Sequence, residues 1–129
     1  MVVDTSAVLA ILLGEDDAAH FAQAIELAER SAMSAANWLE AAVVIDNRGD
    51  AVASREFDLF LRRSGIELQA VTMDQVQLAR QAYHDFGRGR HPAGLNFGDC
   101  LAYALAKSLD KPLLFKGDEF GRTDVVVAG

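Results

Sequence analysis

Short apolar stretches alternate along this chain with stretches of helical period, and no tight hairpin signal joins any neighbouring pair. Parallel strands need helical crossovers, so the alternation predicts an α/β fold with a mainly parallel sheet flanked by helices. Met1-Val2-Val3-Asp4 reads as a short buried strand ending in an acid, and Ser6 or Thr5 is placed to cap a helix over Ala7 to Leu13 that Gly14 stops. Phe21, Ala24, Ile25 and Ala28 mark one face of a surface helix between Asp16 and about Ala32. A very short strand at Ala32-Met33-Ser34 precedes a helix from Ala35 or Ala36 to about Asn47, with Gly49 as terminator. A further helix covers Ala51 to Arg63, and Ile66 to Val71 alternates like a strand. Thr72-Met73-Asp74-Gln75 has the capping-box pattern, and its helix continues to Phe86. The glycine-rich run from Gly87 to Gly94 must be a loop. Asn96 and Asp99 stand in cap and N3 relation at the start of a helix to about Leu109, followed by strands at Leu113 to Phe115 and Val125 to Val127.

The 129 residues suit one domain spanning 1–129, able to bury roughly two-thirds of the surface the unfolded chain exposes. No segment is biased enough to read as a linker. The longest apolar run, Ala7 to Leu13, falls far short of the roughly 20 residues a membrane span needs, so a soluble cytoplasmic protein is expected. Cys100 is the only cysteine and reads as a buried structural thiol in a reducing compartment. The net charge of −7 argues against broad nonspecific nucleic-acid binding. Between Phe86 and Arg122, however, six basic residues face four acidic ones, so a polyanion can approach the C-terminal third.

Four acids sit beside apolar elements: Asp4, Glu40, Asp99 and Asp118. Carboxylates so placed must be paired, bound to metal or exposed at an element's end. In open parallel sheets sites form outside the carboxyl ends of strands, where Asp4 and Asp118 would lie. The N-terminus of the helix carrying Asp99 faces the same crevice, and Glu40 can point inward from its helix's first two turns. Like charges gathered there need a cation, and an oxygen-rich cluster without histidine suits Mg²⁺, with Mn²⁺ as substitute, far better than Zn²⁺. Such an ion completes its shell with phosphate oxygens, which points to phosphodiester hydrolysis.

Each residue also has a plainer use. Asp4 can cap the next helix, Asp99 can serve the helix dipole, Glu40 can face solvent, and Asp118 or Glu119 can be loop residues. Ser6 and Thr5 offer hydroxyls to a metal water, to a phosphate or to a helix end, and Asn96 can orient Asp99, touch substrate or cap. Arg88, Arg90 and His91 stand on a flexible loop that can contact a nucleic-acid backbone or be merely solvated. Trp38 is a core residue or a partner anchor.

Together these pieces resemble the PIN-domain nucleases, in particular the VapC toxins of type II toxin–antitoxin pairs. The resemblance rests on Val2-Val3-Asp4-Thr5-Ser6-Ala7, the Glu40 helix with Ser34 ahead of it, Gly94-Leu95-Asn96-Phe97-Gly98-Asp99-Cys100, and Pro112 to Phe120 with Thr123-Asp124 after it. It implies a three-layer PIN-like fold, with a mainly parallel sheet of four or five strands, and a Mg²⁺-dependent endoribonuclease with Asp4, Glu40, Asp99 and Asp118 as catalytic acids, Asp4 and Asp99 being the primary metal ligands. It also implies an RNA substrate, a homodimer and a small inhibitory antitoxin. Relatives commonly carry Gly, Asp or Asn, Asp and Phe near the fourth acid, whereas this chain has Gly117-Asp118-Glu119-Phe120. Asp118, Glu119 and Asp124 therefore compete for that place, with Asp118 favoured.

Rival readings are weaker on the residues. A haloacid-dehalogenase-like phosphatase wants a second acid where Ser6 stands, a response-regulator receiver pairs adjacent acids near the first strand's end, and no Gly-x-Gly-x-x-Gly follows that strand for a dinucleotide. The non-enzymatic alternative is a PIN-like module that binds RNA or protein without cutting.

Overall fold

The computed structural model describes every residue from Met1 to Gly129. Its elements, in chain order, are β1 (Val2–Val3), α1 (Thr5–Leu12), α2 (Ala18–Leu27), β2 (Ala32–Ser34), α3 (Ala35–Asp46), α4 (Ala51–Ser64), β3 (Glu67–Gln69), α5 (Met73–Phe86), α6 (Phe97–Leu109) and β4 (Leu113–Leu114), with a 3-10 turn at Phe120–Arg122. The strands form one sheet in the order β3-β2-β1-β4, every pair parallel. The α/β architecture with a parallel sheet between helices is the expected one.

Strands of two or three residues suffice because each places alternate residues on opposite faces. Val2 pairs with Leu113 and Val3 with Leu114. Val2 and Leu113 join Leu95, Cys100, Tyr103, Leu105 and Phe120 in one apolar layer. Val3 and Leu114 join Ala7, Val8, Phe21, Met33, Ile45 and Phe57 in the other. Each fully buried aliphatic side chain contributes about 1.5–3 kcal/mol relative to exposure. The sheet is thus the seam of two cores, and β1 at its centre fixes where the residue after it must stand.

Two local expectations are corrected. The cap of the first helix is Asp4, whose Oδ2 accepts the Ser6 N–H at 3.0 Å, so the helix begins at Thr5 and Ser6 lies inside it. A carboxylate caps well because it also meets the positive helix end. The strand expected at Val125 to Val127 is a single bridge between Val127 and Leu113, held by Leu113 N donating to the Val126 carbonyl at 2.8 Å and Ala128 N donating to the Leu113 carbonyl at 2.9 Å. One bridge is enough to cover the edge of β4.

Candidate metal centre

Asp4 leaves β1 at the carboxyl edge of the sheet and is 3% exposed. Its Oδ2 is held twice by Ser6, from the backbone N–H at 3.0 Å and from the hydroxyl at 2.6 Å. The Ser6 hydroxyl oxygen in turn accepts the Lys116 N–H at 2.9 Å, which fastens the segment after β4 to the start of α1. Lys116 itself reaches back to Glu15 at 2.8 Å and Asp17 at 3.0 Å. The other oxygen, Asp4 Oδ1, is buried and accepts no hydrogen bond. Burial lifts the Asp4 carboxyl up to about 7; the Ser6 bonds offset part of this, and the charges of Asp99 and Glu40 add to it.

Asp99 occupies the first turn of α6 inside a complete capping box. Asn96 Oδ1 accepts the Asp99 N–H at 2.9 Å, and Asp99 Oδ2 accepts the Asn96 N–H at 3.0 Å. The carboxyl of Asp99 is raised chiefly by burial, with Glu119 and Glu40 pushing it further and Arg88 and the Asn96 N–H opposing.

Glu40 lies on the second turn of α3. Its Oε1 accepts the Thr5 hydroxyl at 2.5 Å and the Asn37 amide at 3.4 Å. The carboxylate rests against the Cα of Gly98, where a Cβ would stand 2.7 Å from both Oε1 and the carboxyl carbon. Asn37, fully buried, also donates from Nδ2 to the Gly98 carbonyl at 3.0 Å. Thr5, Asn37 and Gly98 therefore bind α1, α3 and α6 around one carboxylate.

The structure brings Asp4, Glu40 and Asp99 within mutual electrostatic reach. Asp118 stands exposed on the loop after β4, while its neighbour Glu119 folds back over Gly117 and is the residue whose charge acts on Asp99. Asp124 is engaged elsewhere, by the Tyr103 hydroxyl at 2.6 Å and Lys107 at 3.1 Å. Asn96 and Ser6 each hold an acid within the fold. Asn37, Gly98 and Lys116 went unread in the sequence. Asn37 and Gly98 did leave a trace, a polar residue three before Glu40 in an apolar stretch and a glycine inside the first turn of a helix.

The donor set fits a hard cation, since a buried carboxylate oxygen lacks a proton donor and two further carboxylates add negative charge to it. No histidine joins the cluster: His84 pairs with Asp85, and His91 accepts the Ala93 N–H. No three His, Cys, Asp or Glu side chains stand close enough to form a ready-made ligand cage. Beside Asn96 an apolar groove of about 790 Å³ runs between α5 and α6, lined by Val76, Tyr83, Phe97 and Leu101 with Arg80 and Arg88 on it. A second cavity, of about 640 Å³, includes Arg30, Glu67 and Lys111 and opens at the opposite, amino-terminal edge of the strands. No helix is long and apolar enough to cross a membrane.

Residues 1–126 match the family model described as PIN domain. The chain is 52% identical over 126 residues to Ribonuclease VapC28 of Mycobacterium tuberculosis, covering 97% of this chain and 95% of that protein. It is 50% identical over 125 residues to Ribonuclease VapC of Mycolicibacterium smegmatis, covering 97% of each. Among solved structures, Mycobacterium tuberculosis VapC20, titled a sarcin-ricin loop cleaving toxin, superposes with a TM-score of 0.76 at 16% identity, covering 99% of this chain and 98% of that one. A toxin–antitoxin complex from Klebsiella pneumoniae superposes with a TM-score of 0.74 at 18% identity, covering 98% and 95%. At such identities the two superpositions speak for the fold.

Proposed function

The chain belongs to the PIN-domain family, among its VapC ribonuclease toxins, and from that premise we propose that it is a Mg²⁺-dependent endoribonuclease working on one assembled acid cluster. The observation that carries the metal is Asp4 Oδ1, a buried carboxylate oxygen without a donor, next to two more acids. Asp4 and Asp99 hold the ion, with Mn²⁺ as a substitute. When bound, such an ion acidifies a water and neutralises charge building on the phosphate.

The remaining work falls to this chain's side chains. Ser6 keeps Asp4 Oδ2 engaged, which leaves Oδ1 free to meet an ion. Asp4 would hold the ion in its deprotonated form, against the burial that lifts its carboxyl to about 7. Asn96 fixes the rotamer of Asp99 through the capping box. Glu40, held by Thr5 and Asn37, would orient the attacking water, and the fourth acid, Glu119 or Asp118, would add negative charge to the cluster. Arg88, whose charge already acts on Asp99, meets the phosphate backbone.

The proposal includes a homodimer, a small antitoxin protein as partner and a cytoplasmic place of action. Purified protein should cleave RNA in Mg²⁺, and Asp4→Ala and Asp99→Asn should each abolish cleavage. Undiminished cutting by either variant, or in excess chelator, refutes the reading. Tight RNA binding without cleavage in Mg²⁺ or Mn²⁺ would return the chain to the binding-module alternative.

A further inference from the structure

We infer that Asn37 is a positioning residue that sets the place of Glu40 against the N-terminal turn of α6. The inference rests on the nuclease reading for its functional meaning and on hydrogen-bond geometry for its content. Asn37 is fully buried in the first turn of α3, where a structural core position would ordinarily carry an apolar side chain. Its amide nitrogen has two hydrogens and two acceptors: the Gly98 carbonyl at 3.0 Å and Glu40 Oε1 at 3.4 Å. The donation to Gly98 O fixes which end of the amide is nitrogen.

The amide oxygen, by contrast, accepts nothing. A buried polar group half unsatisfied is costly, so the side chain is explained by its donor end alone. That end spans the two elements that carry Glu40 and Asp99. Gly98 lies in the first turn of α6, directly before Asp99, so the donor fastened to its carbonyl anchors the Asn37 amide against that turn while the same nitrogen restrains Glu40.

Two hydrogen bonds restrain the Glu40 carboxylate, both to Oε1. Thr5 supplies one holding bond, and its single hydroxyl proton goes to the nearer acceptor, Glu40 Oε1 at 2.5 Å, ahead of the Asn37 carbonyl at 3.1 Å. Asn37 supplies the second and, unlike Thr5, ties the carboxylate to α6. The missing Cβ of Gly98 completes the arrangement by letting Glu40 approach.

The test is a double-mutant cycle with Asn37→Leu and Glu40→Gln, read by RNA cleavage in Mg²⁺, thermal melting and the side-chain amide resonances of ¹⁵N-labelled protein. Asn37→Leu should melt within a few degrees of wild type and lower kcat by about 10–100-fold, the range for outer-shell partners of metal sites, with KM for RNA little changed. In the Glu40→Gln background the same substitution should cost no more than about threefold, because its effect runs through Glu40. Asn37→Ala, which leaves space in place of a bulky side chain, should reproduce this pattern if Asn37→Leu folds poorly. The Asn37 amide pair of wild type should exchange slowly with solvent and shift in Glu40→Gln.

Cleavage by both Asn37 variants at the wild-type rate, losses that multiply in the double variant, or an Asn37 amide indifferent to Glu40→Gln would each overturn the inference. A wild-type protein that cuts no RNA, with the Asn37 amide still protected and responsive to Glu40→Gln, would instead overturn the nuclease reading and leave the clamp standing.

Discussion

Replacing Asp4 by Asn should make the metal-free protein more stable while destroying its activity. The carboxyl is lifted from 3.8 to about 7, so the native state holds a proton over a pH range in which the unfolded chain has lost it. A raised acid pKa carries no penalty below the unfolded value and an increasing one as pH climbs to the folded value. A shift of about 3 units amounts to about 4 kcal/mol of lost stability at pH 8. Asn removes that penalty and keeps an oxygen for the Ser6 bonds, but it buries an amide nitrogen where Oδ1 had no partner, a cost of about 1–3 kcal/mol. The net gain of about 1–3 kcal/mol corresponds to a melting temperature higher by roughly 5–10 °C for a chain of this size. The assay is thermal denaturation by circular dichroism in chelator at pH 8 and pH 5, repeated with Mg²⁺. By pH 5 the linked part shrinks by about 2–3 kcal/mol, so the advantage of the variant should vanish there. Mg²⁺ should raise the melting temperature of wild type only. An Asp4→Asn variant that melts no higher than wild type at pH 8, or a gap that persists unchanged to pH 5, refutes the reasoning.

Two further outcomes separate neighbouring explanations. Glu119→Gln should lower RNA cleavage by roughly 10–100-fold and Asp118→Asn by less than about threefold, because it is Glu119 whose charge reaches Asp99; the reverse ranking in initial-rate assays would give the fourth place to Asp118. Burial, with the charge of Asp99 behind it, pushes the Cys100 thiol up to about 11, so at pH 8 the native protein should react with a disulfide reagent at least about 100-fold more slowly than the urea-unfolded chain; comparable rates would show that the thiol is accessible.

Most of the helices were legible because their boundaries are written in local chemistry. Thr72 accepts the Gln75 N–H and Asn96 accepts the Asp99 N–H, as their spacings imply, and Gly65 ends α4 in the left-handed region. The gathering of Asp4, Glu40 and Asp99 was readable from one general rule about strand ends, whereas the particular pairing of β1 with β4 was not read from the sequence. The cap of α1 was misjudged because a hydroxyl and a carboxylate compete for the same N–H groups, and sequence does not rank them. What stayed illegible was pairwise and long-range. Nothing in the run Ala35-Ala36-Asn37 announces a bond to a carbonyl 61 residues away, nor does Lys116 announce that its backbone N–H closes on Ser6. The standing of Asp118, Glu119 and Asp124 depends on a loop conformation at Gly117, φ 111°, and on Tyr103 and Lys107 claiming Asp124, both beyond the reach of spacing.

The neighbour relation of β1 and β4 also has a bearing on how the molecule comes to exist. A polypeptide is made from its amino end, and here Asp4 leaves the ribosome well before Leu114, the residue that pairs with its neighbour Val3. Until Leu114 has left the ribosome, β1 has one open edge, Ser6 lacks the Lys116 N–H, and the segment carrying Glu119 does not exist. Every nascent chain short of that length therefore holds Asp4 without the β4 edge and the Lys116 bond that fix its surroundings. The finished surroundings of Asp4 thus wait on a contact between segments 110 residues apart, which makes their assembly a long-range folding event.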